Sequence, residues 1–138
     1  MATRIERHRA ERPSQWLTIE EPYKADEALQ RTDAKIVIVD CLTLLVSNWL
    51  LRDELECEQK LNDLIESLIS SARLRDQTVI CVSNEVGLGL VPDTPVGRRY
   101  RDLLGRVNQQ LAQAADEVYL LVAGLPLRLK PDEPLRSV

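Results

Sequence analysis

The stretch KIVIVD, residues 35–40, decides the fold class of this chain. Its four consecutive apolar residues are all β-branched, and they end in an aspartate. A continuous run of this kind is typical of a strand that is covered on both faces, as in a parallel sheet. The sequence therefore predicts a buried strand with Asp40 at its carboxyl end.

Two further runs have the same character, and helical patterns separate the three. The runs TVICVS and EVYLLVAG predict buried strands at residues 78–83 and 117–124. Apolar residues recur at helical spacing over 53–75 and over 100–114. Strands that alternate with helices form βαβ units around a parallel sheet, so the predicted class is α/β with a mostly parallel sheet.

The remaining stretches extend this outline at both ends of the chain. Residues 3–12 predict a short helix, residues 16–19 a short strand, and residues 21–33 a weak helical pattern. LPLRLK, residues 125–130, alternates and suits an antiparallel edge strand. We therefore expect one domain over residues 1–130 and a flexible tail over 131–138.

Composition excludes several classes of protein. The chain has 138 residues, 44% hydrophobic and 29% charged, which is typical of a soluble globular domain. A net charge of −4 argues against nucleic-acid binding. The longest apolar stretch, IVIVDCLTLLV, is too short to span a membrane and contains Asp40. The charged N-terminus indicates no signal peptide, and three cysteines without a CxxC pair indicate reduced thiols in the cytoplasm.

In parallel sheets, ligands bind at the carboxyl ends of the strands. Asp40 stands at one such end, where it either anchors a magnesium ion or caps the helix that follows. Asn84 and Glu85 follow the next strand, where they either contact a ligand or satisfy a glycine-rich turn. Four arginines near the next helix either approach phosphates or form a solvated charged face; they are Arg98, Arg99, Arg101 and Arg106.

A nucleotide enzyme with a P-loop also needs GxxxxGK[ST], whose backbone amides cradle phosphates. The chain has five glycines, and none of them precedes a lysine. The phosphate loop is therefore absent from these 138 residues.

The only histidine, His8, lies in the arginine-rich stretch TRIERHRAER. If this stretch is helical, Arg4, His8 and Arg12 share one face. A neutral imidazole beside guanidiniums could attack a bound polyphosphate and form a phosphoramidate. The alternative is an ordinary surface histidine, and the residues alone leave both interpretations open.

Four stretches, taken together, resemble a known family. In chain order they are RIERHRAERPSQWLTIEEP, IVIVDCLTLLVSN, VSNEVGLGLVP and YRDLLGRVNQQLAQAADEVYLLVAG. They look like the bifunctional adenosylcobinamide kinase/adenosylcobinamide-phosphate guanylyltransferase of cobalamin synthesis. The resemblance implies a RecA-like P-loop NTPase fold in the cytoplasm, and a homo-oligomer, with trimers known in the family. It also implies GTP, or ATP for the kinase step, and Mg²⁺.

The resemblance further implies a set of site residues. The family phosphorylates adenosylcobinamide and then transfers GMP from GTP onto that phosphate through a GMP-histidine intermediate. The histidine of R-I-xx-H corresponds to His8. The implied nucleotide contacts are Arg9, Ala10, Glu11, Arg12, Glu20 and Asp40, with Asp40 also on the metal.

The chain departs from the family at its start. Family members begin with a strand, a GGxRSGKS-like phosphate loop, a helix and a second strand, which have no counterpart in this sequence. The resemblance therefore implies an N-terminally truncated member with impaired activity of its own. Two alternatives stay open: a degenerate, non-catalytic nucleotide-binding or oligomerisation module, and one half of a split enzyme.

Overall fold

The structure, a computed structural model, describes residues 12–131. The predicted helix at residues 3–12 and the predicted tail lie almost entirely outside these residues. The elements within the described range are α1 (Ala25–Gln30), β1 (Ile36–Asp40), α2 (Leu42–Arg52), α3 (Cys57–Leu74), β2 (Thr78–Val82), α4 (Pro95–Ala114), β3 (Val118–Val122) and β4 (Leu125–Lys130).

The order of strands and helices confirms the α/β prediction. Strands β1 and β2 are parallel, in a register that runs from Ile36 opposite Thr78 to Asp40 opposite Val82. The helices α2 and α3 form the crossover between them, as parallel neighbours require. Both strands therefore end at the same edge of this small parallel sheet.

The other two strands form a separate hairpin. Strand β4 runs antiparallel to β3, and a two-residue turn connects Val122 to Leu125. Both turn residues have positive φ, 53° at Ala123 and 78° at Gly124, as a type I′ turn requires. A turn this tight pairs β3 with its neighbour in sequence. Among the described residues β3 pairs with β4 and not with β2, so the predicted mostly parallel sheet with an antiparallel edge strand is present there as a two-stranded parallel sheet and a separate antiparallel hairpin.

The core lies between three helices. Its buried side chains come from one face each of α2, α3 and α4: Leu42, Leu45, Val46, Leu50, Cys57, Leu61, Leu64, Ile65, Leu103, Leu104 and Val107. The apolar spacing predicted α3 and α4, although α4 begins at Pro95, where Thr94 caps it by accepting a hydrogen bond from the Gly97 N–H over 3.2 Å.

The bounds of helix α2 were not predicted from the sequence. It continues the apolar run IVIVDCLTLLV, in which a strand and the first turns of a helix follow each other. Four of its eleven residues are buried. Hydrophobicity alone does not mark the change from β1 to α2, because both sides of the boundary are apolar.

The parallel sheet is covered on one face only. Val39 and Cys81 point inward and pack against the core. On the other face, Ile36 is 63% exposed and Ile80 is 47% exposed. The prediction that these strands are buried on both faces is therefore wrong among the described residues, because the helices described there all cover the same face. Residues 16–19 were predicted to form a strand, and they form none.

Candidate functional site

The candidate site lies at the carboxyl edge of the parallel sheet. Asp40 is the last residue of β1, and its side chain is 44% exposed. Helix α2 starts two residues later, and its N-cap is Cys41, not Asp40. The interpretation of Asp40 as a helix cap is therefore wrong, and its carboxylate stands at the sheet edge, open to solvent.

Residues 12–23, which we call the groove loop, carry the second part of the site. They form neither helix nor strand. The Trp16 N–H donates to the Pro13 carbonyl over 3.0 Å, and this bond closes a tight turn. The Arg12 guanidinium donates to the Thr18 hydroxyl over 3.1 Å. These two contacts fold the first half of the loop back on itself.

The groove loop lines an open groove of about 560 Å³, a volume within the range of small-molecule sites. Its described lining residues are Arg12, Pro13, Ser14, Trp16, Thr18 and Glu20. The groove therefore presents one cation, one carboxylate and one large aromatic ring.

An ion pair joins the groove loop to the sheet edge. Arg12 Nη2 lies 3.9 Å from Asp40 Oδ2, and the two side chains are 34% and 44% exposed. Exposed pairs at this separation contribute little to stability. A guanidinium has five N–H donors in a fork that matches phosphate oxygens. The pair therefore leaves a cation accessible to an anion at the mouth of the groove.

The structure brings together three of the residues that the resemblance implied. Arg12 and Glu20 line the same groove, and Arg12 contacts Asp40. The other implied residues, His8, Arg9, Ala10 and Glu11, lie outside the described residues.

Sequence reasoning gave no role to Trp16 and Thr18, which line the groove beside Glu20. Trp16 is 52% exposed, which is unusual for so large an apolar side chain and leaves a ring face accessible. The alternation of residues 16, 18 and 20 in W-x-T-x-E was an available signal. Alternate residues of an extended chain lie on the same side.

The stretch after β2 shows turn chemistry. The Glu85 carboxylate accepts from the Gly87 N–H over 2.6 Å. The Ser83 hydroxyl donates to Asn108 Oδ1 over 2.6 Å, and Asn108 in turn donates to the Asn84 carbonyl over 3.0 Å. The turn interpretation is therefore supported, with Glu85 and Asn108 supplying the side-chain contacts in place of the Asn84 amide.

The four arginines of α4 make protein contacts. Arg99 donates to Glu58 over 2.8 Å, and Arg106 pairs with the same carboxylate. Arg98 donates to the carbonyl groups that precede α4, and Arg101 donates to the Gly87 carbonyl over 2.8 Å. These contacts support the interpretation as a charged surface that braces α3 and the loop before α4.

A magnesium ion fits the chemistry of Asp40. Within residues 12–131 no group of three or more His, Cys, Asp or Glu residues forms a cage for a metal. Mg²⁺ does not require one, because it retains water and binds through one or two carboxylates and the phosphates of its nucleotide. An exposed carboxylate beside a guanidinium is a suitable donor.

Known proteins give these features a context. A family model described as cobinamide kinase / cobinamide phosphate guanyltransferase, CobU, matches residues 1–129. The bifunctional adenosylcobalamin biosynthesis protein CobP of Pseudomonas aeruginosa is 43% identical over 98% of this chain and 77% of its own length. The proteins named CobU in Escherichia coli and Salmonella typhimurium are 39% and 36% identical, over 94% of this chain and 78% of their own lengths.

Among the helices described, we find none with both the length and the apolar character needed to cross a membrane.

The family match and the three relatives agree with each other over nearly the whole chain, and they support a role in cobalamin biosynthesis. The chain belongs to the cobinamide kinase / cobinamide phosphate guanyltransferase family, a family of transferases.

Proposed function

We propose that the groove binds GTP and that the protein transfers GMP from it to adenosylcobinamide phosphate through His8. The observation that carries the proposal is the contact of Arg12 with Asp40 at the mouth of a groove that Glu20 also lines. A cation, a metal-binding carboxylate and a base-reading carboxylate are the groups that a guanine nucleotide needs.

Each group of the groove has a role in this proposal. Arg12 binds phosphate oxygens in fork geometry and offsets the charge that develops during transfer. Trp16 offers a ring face on which a purine stacks. Glu20 accepts hydrogen bonds from the N–H groups of the guanine edge, which adenine lacks.

His8 lies four residues before Arg12, so its Cα is at most about 14 Å from that of Arg12. In the proposed reaction, its neutral imidazole attacks the α-phosphorus of GTP. A P–N bond forms, and the P–O bond to pyrophosphate breaks. An oxygen of the substrate phosphate then attacks the same phosphorus and breaks the P–N bond. The products are adenosylcobinamide-GDP and free imidazole, so one displacement is split into two.

Asp40 would hold Mg²⁺, which when bound neutralises phosphate charge. We do not assign the kinase step to the groove, because its described lining contains neither a lysine nor a run of glycine amides.

We further propose a RecA-like arrangement of one domain over residues 1–130, a homotrimer, and a cytoplasmic location, all on the family resemblance alone.

The corrinoid acceptor needs an apolar surface near the same sheet edge, and we propose the loop between β2 and α4. Three of its side chains project into solvent, with Leu88 80%, Leu90 96% and Val91 69% exposed. The loop is held at its base by Arg101 and Glu85. Leu90→Ser is expected to raise KM for the acceptor about fivefold, since partial burial of one leucine contributes about 1 kcal/mol. Leu74→Ser, at a position 87% exposed on α3, is the matched control.

The relay is tested by labelling. The full chain is incubated with α-labelled GTP and Mg²⁺, beside His8→Ala and the similarly shaped His8→Asn. We expect an acid-labile, alkali-stable label on the wild type and none on either variant, since only a P–N bond has that stability pattern here. Equal labelling of all three proteins would exclude His8. Binding of GTP without any label would favour the non-catalytic module.

A further inference from the structure

We infer that Asn48 and Trp49 of α2 are positioning residues, which hold the groove loop in place relative to Asp40. The inference rests on the proposed nucleotide site. Asn48 Nδ2 donates to the Pro22 carbonyl over 3.0 Å, and Trp49 Nε1 donates to the Tyr23 carbonyl over 3.0 Å. Two consecutive side chains thus bind two consecutive carbonyls, directly after the groove residue Glu20.

Helix α2 sets the distance between the two parts of the site, Asp40 and the groove loop. It begins at Leu42, just after Asp40, and reaches Asn48 six residues later, an axial rise of about 9 Å. Its inward side chains Leu45, Val46 and Leu50 are at most 5% exposed. Since the helix is fixed in the core, a segment bound by Asn48 and Trp49, both half-buried, has a defined distance from Asp40.

Ring contacts restrict the orientation of the Trp49 N–H. The rings of Tyr23 and Trp49 meet edge to face, with centroids 5.4 Å apart and planes at 77°. The guanidinium of Arg52 lies 4.7 Å from the Tyr23 centroid and 5.4 Å from that of Trp49. Lys60 Nζ lies 5.7 Å from the Trp49 centroid. The Trp49 ring thus contacts two cations and a second aromatic ring. These three contacts restrict rotation of the ring and therefore the direction of its N–H.

The ion pair between the groove loop and Asp40 is a weaker attachment. The Arg12–Asp40 pair is long and exposed on both sides, and Arg12 is the residue that must release Asp40 when phosphate and metal enter. During a reaction cycle, the contacts of Asn48 and Trp49 therefore keep the loop in register while the ion pair opens.

The test uses the two tryptophans of the chain as tools. Trp49→Phe keeps a ring against Tyr23, removes the N–H donor and leaves Trp16, in the groove, as the only tryptophan, which is excited at wavelengths where tyrosine does not absorb. Asn48→Ala and the isosteric Asn48→Asp are compared within this background. The matched control is Asn62→Ala, which also removes a tertiary hydrogen bond, the one from Gln110 over 3.2 Å between α3 and α4.

Loss of one hydrogen bond, worth about 0.5–1.5 kcal/mol, corresponds to a change of about 2- to 12-fold. We expect either Asn48 variant to raise Kd and KM for GTP by about that factor, while kcat changes less than twofold. The anisotropy of Trp16 should fall in the same variants. Asn62→Ala should lower Tm to a similar extent and change neither quantity.

The inference is overturned if the Asn48 variants match Asn62→Ala in both GTP affinity and Trp16 anisotropy. Should the wild type fail to bind GTP, the proposed function fails instead. In that case the anisotropy alone decides whether these residues hold the loop, because it requires no nucleotide.

Discussion

Replacing Arg12 with glutamine is expected to weaken GTP binding by at least tenfold while leaving the fold intact. Arg12 is the one cation among the described lining residues of the groove, and it contacts Thr18 over 3.1 Å and Asp40 at 3.9 Å. Glutamine keeps a polar side chain at this position, but it is two bonds shorter than arginine, so it removes the charge, the fork and the Nη1 contact with Thr18.

The magnitude follows from what Arg12 does with and without a nucleotide. A hydrogen bond to a charged group is worth about 1.5–3 kcal/mol, or about 13- to 160-fold in Kd. The exposed ion pair itself stabilises the fold by about 0–1 kcal/mol, so Tm should move little.

Calorimetric titration with GTP and Mg²⁺, at two salt concentrations, measures the effect. Arg12→Lys, which keeps the charge without the fork, should fall between wild type and Arg12→Gln. The matched control is Arg128→Gln, because Arg128 forms a similarly exposed pair with Glu117 at 3.8 Å on β4. If Arg12→Gln binds GTP within twofold of wild type, or loses no more affinity than Arg128→Gln, the assignment of the groove is refuted.

Three further predictions concern the metal, the core and pH. Asp40→Asn should make GTP binding insensitive to EDTA, whereas chelation weakens binding by the wild type; equal sensitivity of the two proteins would remove Asp40 from the metal site. Leu104→Ala should lower the free energy of unfolding in urea by about 2–5 kcal/mol, because Leu104 is fully buried, while Leu55→Ala, at a position 93% exposed, should change it by less than about 0.5 kcal/mol. Burial raises the pKa of the Cys81 thiol from 9.0 to about 11, so the folded state retains its proton over that interval and the free energy of unfolding falls as pH rises from 9 to 11, by up to about 3 kcal/mol. Cys81→Ala should show a shallower alkaline decline in urea denaturation, and identical slopes would contradict the assignment.

Local patterns in the sequence predicted the α/β class, strands β1 to β4 and helices α3 and α4, but they missed α2 and predicted a strand at residues 16–19 that does not form. The β-branched run before Asp40 and the apolar spacing of α3 depend on neighbours within a few residues, so they can be recognised along the chain. The four quoted stretches likewise predicted the family. These patterns also placed a carboxylate at the end of a strand, which is a property of the order of residues alone.

Tertiary structure decided how the site is assembled. Arg12 meets Asp40 at a separation of 28 residues along the chain, and Asn48 meets Pro22 at a separation of 26. Such contacts leave no periodic pattern in the sequence, because they depend on how the groove loop lies against α2 after the core has formed. The pairing of β3 with β4 is local by contrast, because a two-residue turn joins them, whereas the separation of this hairpin from β2 became visible only in the tertiary structure. Sequence determined which chemical groups the protein carries, and packing between distant segments determined which of them meet.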